Sequence, residues 1–256
     1  MSETILLYVF LCASAFAAGA INSIAGGGTL LTFPALLRVL DPVGANATST
    51  VALLPGSLAG SFGYRKELAA CRRLVIILLL PSAIGGTVGA LLVTRFPPSV
   101  FAKLVPWLIL SASLIFLLQG PIRRMFGRKP HGHANSLTIV VVIIAQFFVA
   151  VYGGYFGAGI GILMLSVLPF MGTETIHETN AAKTILAAVI NGLTVLVFVI
   201  EGKVIWSYAL AMAAAAILGG YVGARSARRL PALYIRLLVV VIGFTLAGYY
   251  LWKEFA

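Results

Sequence analysis

Charge is scarce in this chain. Of its 256 residues, 10% are Asp, Glu, Lys or Arg, where a soluble domain carries about 25%. Acidic residues are the rarest class, seven against 18 Lys and Arg. No two of them fall inside one long apolar run, so neither a carboxylate proton relay nor a cation site built on acids is indicated. There are two cysteines, Cys12 and Cys71, and three histidines, His131, His133 and His177. None stands at metal-ligand spacing with further ligands, and the cysteines carry no redox information. A Gly-x-x-x-x-Gly-Lys-[Ser/Thr] loop is missing, and with it the usual signature of ATP-driven transport. A membrane-embedded enzyme would need a nucleophile with its base, or a metal cluster, inside an apolar segment. Neither is there, so the reading is of a non-enzyme with no cofactor.

Apolar residue is abundant, 61% of the chain, and it comes in blocks. Segments 6–25, 74–93, 137–156, 181–200 and 233–252 are each long enough to cross roughly 30 Å of hydrocarbon as helix. Segments 46–62, 101–118 and 205–222 are slightly shorter. Lipid offers the backbone no hydrogen bonds, so such spans must be helical. Strand-like alternation at about ten-residue spacing, the mark of an outer-membrane barrel, is lacking. The fold class expected is all-α, a polytopic transmembrane bundle. The net charge of +11 lies mostly between the apolar blocks, where it orients a membrane protein and does not call for nucleic acid. The first segment lacks a positive n-region and reads as part of the mature fold, not as a signal peptide.

The chain matches itself at an offset of 134 residues. Gly85-Gly86-Thr87-Val88-Gly89-Ala90 falls on Gly219-Gly220-Tyr221-Val222-Gly223-Ala224. Arg95 and Pro97 fall on Arg229 and Pro231, Asn46 on Asn180, Thr50 on Thr184, and Glu67 on Glu201. With one gap, Gly26 and Gly28 fall on Gly159 and Gly161. This divides the chain into repeats 1–119 and 137–256 around a polar, basic linker at 120–136. Internal repeats of this kind are common in transporters.

Each half opens with a long apolar segment, a glycine break and a short arm, 29–40 or 160–171. Residues 6–40 as one helix would measure about 52 Å, too long for one crossing, and the short arms suit half-membrane helices. Charge counting separates the topologies. If each opening were a single crossing, Lys and Arg would divide ten against eight. If each opening turns back, only Arg38, Arg95, Lys103, Lys203 and Lys253 of the 18 lie on one face. The second division is what the positive-inside rule expects. It makes the halves inverted and the linker cytoplasmic.

Glycine breaks expose backbone N–H groups at a helix start, which together with the helix dipole favour an anion. Gly26, Gly27, Gly28 and Thr29 in one half, and Gly159, Ile160 and Gly161 in the other, are therefore candidate solute contacts. Gly85/Gly89 and Gly219/Gly223 fit close helix packing better. Asn46 and Asn180 read first as N-caps. Thr48, Ser49, Thr50, Asn180 and Thr184 add polar side chains one turn in. Lys183 either snorkels to the interface or faces a polar cavity and pairs with an anion. Asn22, one turn before the first break, could line the same site or bond between helices.

The run Asn22-Ser-Ile-Ala-Gly-Gly-Gly-Thr-Leu-Leu-Thr-Phe-Pro-Ala-Leu-Leu37, with Asn46-Ala-Thr-Ser-Thr50 after it, resembles the sulfite exporter TauE/SafE family of permeases. The likeness covers nearly the whole chain. The second half departs from the pattern, with Gly157-Ala-Gly159-Ile-Gly161 in place of a glycine triplet and Lys183 where Ser or Thr is usual. The resemblance implies a secondary transporter of the bacterial inner membrane type. Its partners would be the bilayer and a small anion such as sulfite or a sulfonate, with coupling to protons or to the membrane potential. A non-transporting scaffold subunit and a channel are the alternatives.

Overall fold

A computed structural model describes residues 2–24, 27–63, 65–126, 136–171, 175–226 and 232–255. Its helices are α1 (Ser2–Ile24), α2 (Thr29–Leu36), α3 (Pro42–Gly63), α4 (Arg65–Ala70), α5 (Arg72–Arg95), α6 (Pro98–Phe126), α7 (Ser136–Tyr155) and α8 (Ile160–Val167). A 3-10 turn, Leu168–Met171, follows α8. The chain then continues through α9 (Ile176–Ile200), α10 (Trp206–Ser226) and α11 (Ala232–Phe255). No strand occurs among the described residues.

Every apolar block of the sequence is a helix. Six helices among the described residues are long and apolar enough to cross a membrane: α1, α5, α6, α7, α9 and α10. The sequence reading expected eight. Among the described residues α11 adds the apolar stretch Leu237–Lys253. Helix α3 carries Asn46, Thr48, Ser49 and Thr50, and it is enclosed by α1, α2, α6, α9 and α10. A helix surrounded by other helices needs no apolar face for lipid, so its polar content is tolerated. Outward faces elsewhere are apolar, as at Leu6, Leu80, Phe148, Leu218 and Trp252.

Lipid tails are as apolar as leucine, so these helices are held by close packing and not by exclusion from water. Small residues permit it. A Cβ at Gly219 would strike the Phe16 carbonyl, and one at Gly19 the Ala216 carbonyl, so α1 and α10 cross backbone to backbone. Gly154 sits in the same way on Gly86, and Gly89 on Val151, where α5 meets α7. The packing read for Gly85/Gly89 and for Gly219 is the packing found. Gly19, Gly86 and Gly154 join it.

Side-chain contacts give the helix directions. The Tyr8 and Tyr208 rings lie 5.3 Å apart near the starts of α1 and α10, which run the same way. Gln146 donates to Ser82 at 2.9 Å, so α5 and α7 also run together. Gly86 meets Ile190, and Arg95 pairs with Glu201 at 2.9 Å, so α9 runs with α5. Helix α3 starts where α9 ends: Ile205 N–H donates to Thr48 Oγ1 at 3.1 Å. Helix α3 therefore runs with α10 and against α9.

The first opening turns back. The Arg38 guanidinium lies 4.7 Å from the centroid of the Phe10 ring. The end of α1, at Ile24, is about 21 Å of helix beyond Phe10. The chain has thus turned back toward the start of α1 within the break and α2. The second opening does the same, since Cys71 at the start of α5 lies beside Glu178 at the start of α9.

Two capping assignments are corrected. Asn46 is not the cap of α3, which begins at Pro42; Asp41 Oδ2 accepts the Val43 and Gly44 amides, each at 3.1 Å. Asn180 is not the cap of α9; Thr175 Oγ1 accepts the Glu178 amide at 3.2 Å. In both cases the helix starts earlier than the hydropathy does. The short-side-chain acceptor just upstream satisfies the orphan donors, and Thr175 with Glu178 has capping-box spacing.

Candidate solute-binding site

At the first break Gly27 has φ +92°, a conformation that strains any residue with a Cβ. A Cβ there would also meet the tip of the Phe116 ring, which would have to shift. Gly26 lies outside the described residues. Asn22 Oδ1 accepts the Gly28 amide at 2.7 Å, so one backbone donor of this break is already taken by the chain itself. The Gly28 carbonyl accepts the Leu31 and Thr32 amides, which starts α2 with Thr29 half-buried at its first position. Thr32 Oγ1 lies 2.6 Å from Ser49 Oγ, and both hydroxyls are fully buried. That bond ties α2 to α3. Thr48 instead accepts the Ile205 amide, and Thr50 donates back to the Asn46 carbonyl at 2.8 Å.

The second break uses two left-handed glycines, Gly157 at φ +82° and Gly159 at φ +83°. The Tyr152 hydroxyl donates to the Ala158 carbonyl at 2.8 Å and holds the bend. The Gly159 carbonyl takes the Ile162 and Leu163 amides, leaving those of Ile160 and Gly161 as the leading donors of α8. The Lys183 stem passes beside Gly161: a Cβ at Gly161 would lie 3.4 Å from Lys183 Cδ. The Lys183 ammonium donates to Asn180 Oδ1 at 3.1 Å, and Thr184 donates to the Asn180 carbonyl at 2.7 Å. No carboxylate pairs with Lys183 among the described residues.

The predicted residues thus form two clusters. Asn22, Gly27, Gly28, Thr29 and Ser49 gather at the first break, and Gly159, Ile160, Gly161, Asn180, Lys183 and Thr184 at the second. Two contacts join them. Phe116, 1% exposed, lies between the breaks: its ring rests on Gly27, and a Cβ at Gly159 would be 3.6 Å from its Cε2. Asn46 Nδ2 donates to the Tyr155 carbonyl, beside the second break, at 3.0 Å. Thr48 and Thr50 point elsewhere. Sequence reasoning missed Thr32 and Phe116. Thr32 was visible as a hydroxyl one turn after Gly28 in the short arm. Phe116 carried no signal, being one aromatic in an apolar helix. Clefts at the ends of the bundle, one lined by Arg72 and Arg73 and one by Lys103 and Lys253, include none of these residues.

The chain is similar to proteins named as membrane transporters. The family model described as "Sulfite exporter TauE/SafE" matches residues 11–250. A "Probable membrane transporter protein" of Haemophilus influenzae is 28% identical over 95% of this chain and 93% of its own length. "Probable membrane transporter protein ORF9" of a Sinorhizobium species is 30% identical, covering 94% and 91%. "Probable membrane transporter protein YfcA" of Escherichia coli K12 is 30% identical, covering 91% and 86%. No solved structure matches.

Proposed function

The chain belongs to the sulfite exporter TauE/SafE family, and from that membership we propose that it is a secondary transporter whose solute is a small anion. Sulfite, a sulfonate or another small organic or sulfur-containing anion is the class. That it is a multi-pass membrane protein of a transporter family rests on the family match, the relatives and the six apolar helices.

The observation that carries the anion is Lys183. Its ammonium is half-buried in a membrane-crossing helix, without a carboxylate partner among the described residues. An unpaired charge at the centre of a span costs about 2.5–3.5 kcal/mol on insertion scales. An anionic solute that pairs with it accounts for its retention. The leading amides of α8, beside the Lys183 stem, carry the positive end of a helix dipole and add to the attraction. Asn180, Thr184, Gly159, Ile160 and Gly161 are the contacts proposed around it. Asn22, Gly27, Gly28, Thr29 and Ser49 are proposed for the corresponding place in the other half; Thr48 and Thr50, whose hydroxyls are engaged elsewhere, are not.

The two halves, 1–119 and 137–256, are read as inverted repeats about the linker 120–136. The 134-residue offset supports this, as does the opposite running of α3 and α9. The face with thirteen of the 18 Lys and Arg is then cytoplasmic in a bacterial inner membrane.

Flux of labelled sulfite and of a sulfonate panel into proteoliposomes, with and without a proton gradient, tests the proposal. Saturable flux is expected, with at least a tenfold loss in Lys183→Gln, about 1.4 kcal/mol. Flux that never saturates would indicate a channel. Flux unchanged in the variant would return Lys183 to a snorkelling role.

A further inference from the structure

Asn46 and Asn180 occupy equivalent places in the two halves, but their side chains are treated differently. Asn180 Oδ1 receives the ammonium of Lys183, three residues on. At the equivalent distance from Asn46 stands Ser49, whose hydroxyl is engaged with Thr32. Asn46 is 1% exposed, and its Oδ1 has no donor among the described residues. The amide orientation is settled, because Nδ2 must face the Tyr155 carbonyl. Buried acceptors left unmet are uncommon and call for an explanation.

What surrounds this oxygen favours a positive charge. Tyr155 is the last residue of α7, so Asn46 sits at the negative end of that helix dipole. The start of α3 does not oppose it strongly, since Asp41 occupies its first amides. Ser49, on the same face as Asn46, and Thr32 add two buried hydroxyl oxygens. All these ligands are neutral oxygens. No group of three or more His, Cys, Asp or Glu stands together among the described residues, which disfavours a divalent metal. Discontinuous helices place cations at such carbonyl ends and anions at amide ends.

We propose that Asn46 Oδ1, with the Ser49 and Thr32 hydroxyls at the carboxyl end of α7, binds a desolvated monovalent cation. In the second half the Lys183 ammonium does covalently what this ion does in the first. The proposal rests on the anion-transporter reading, to which it adds a companion ion that offsets the solute's charge. The scarcity of acids hid such a site from the sequence.

The test is the thermal unfolding midpoint of the purified full chain in detergent, without solute. NaCl, KCl or LiCl is titrated against choline chloride at constant ionic strength. A saturable rise with an alkali cation and not with choline is expected, abolished in Asn46→Leu. In Ser49→Ala, which serves if Asn46→Leu does not fold, the half-saturating concentration should rise at least fivefold. Equal midpoints in all four salts, or a cation response that survives these substitutions, would overturn it. A separate arm adds sulfite in choline chloride alone to the protein and to Lys183→Gln. A sulfite shift lost in that variant, beside a flat cation response, would sink the cation site and leave the anion reading standing.

Discussion

The Lys183 side chain crosses the bare face of Gly161, and its ammonium ends on Asn180 Oδ1, 3.1 Å away. A Cβ at Gly161 would lie in van der Waals contact with that stem, and a branched side chain would press on it. Gly161 is not in the left-handed region, so a larger residue there meets only the lysine stem. Gly161→Val should leave the fold intact and displace that stem. Sulfite flux at sub-saturating concentration should fall about tenfold, the equivalent of 1.4 kcal/mol, with a thermal midpoint near that of the parent. A variant that transports normally would dissociate the α8 start from the solute site.

The α1–α10 crossing makes a prediction about stability. Gly219→Ala places a methyl group in the Phe16 carbonyl. Overpacking of this kind costs roughly 1–3 kcal/mol. Gly192→Ala in α9 meets nothing within 4 Å and should be neutral or stabilising by up to about 1 kcal/mol through helix propensity. Thermal or denaturant unfolding in detergent would show the contrast. Equal effects at the two positions would refute the close crossing.

The Thr32–Ser49 bond is buried and joins α2 to α3. Interhelical hydrogen bonds within membranes average only about 0.6 kcal/mol, and reach about 1.7 at most. A double-mutant cycle with Thr32→Val and Ser49→Ala should give a coupling energy within that range. A value indistinguishable from zero would mean that the two hydroxyls do not depend on each other.

Cys71 stands between α4 and α5, outside the spans. Burial pushes its thiol up from the usual range, and the nearby Glu178 carboxylate adds to that shift. The reactive species is the thiolate, so a raised pKa leaves less of it at a given pH. Alkylation by a permeant maleimide should be slower at pH 7 than for an exposed cysteine, and should accelerate as pH rises past 9. A rate matching that of a model thiol at pH 7 would contradict the burial.

What the sequence determined by itself is the set of helices. Long apolar runs in lipid have no alternative to helix, because the backbone must satisfy itself, and so the eight blocks and both short arms were legible as runs of residues. Charge counting also favoured openings that turn back, and the Arg38–Phe10 contact brings the chain after α2 back beside α1. Helix starts were less legible. Asp41 and Thr175 lie in polar stretches before the apolar runs, while Asn46 and Asn180 stood nearer the edge of hydropathy.

Only the tertiary structure decided what the polar residues touch. Asn22 is bound to Gly28, Thr48 to the turn before α10, and Asn46 to the end of α7. The last two pairings join segments far apart in the chain, and none of the three leaves a periodic trace in it. The meeting of both glycine breaks on Phe116 has the same origin. A phenylalanine in a membrane helix looks alike whether it faces lipid or lies between two glycine breaks. Which of these it does depends on the close approach of backbones at Gly27 and Gly159, and so on how the helices cross.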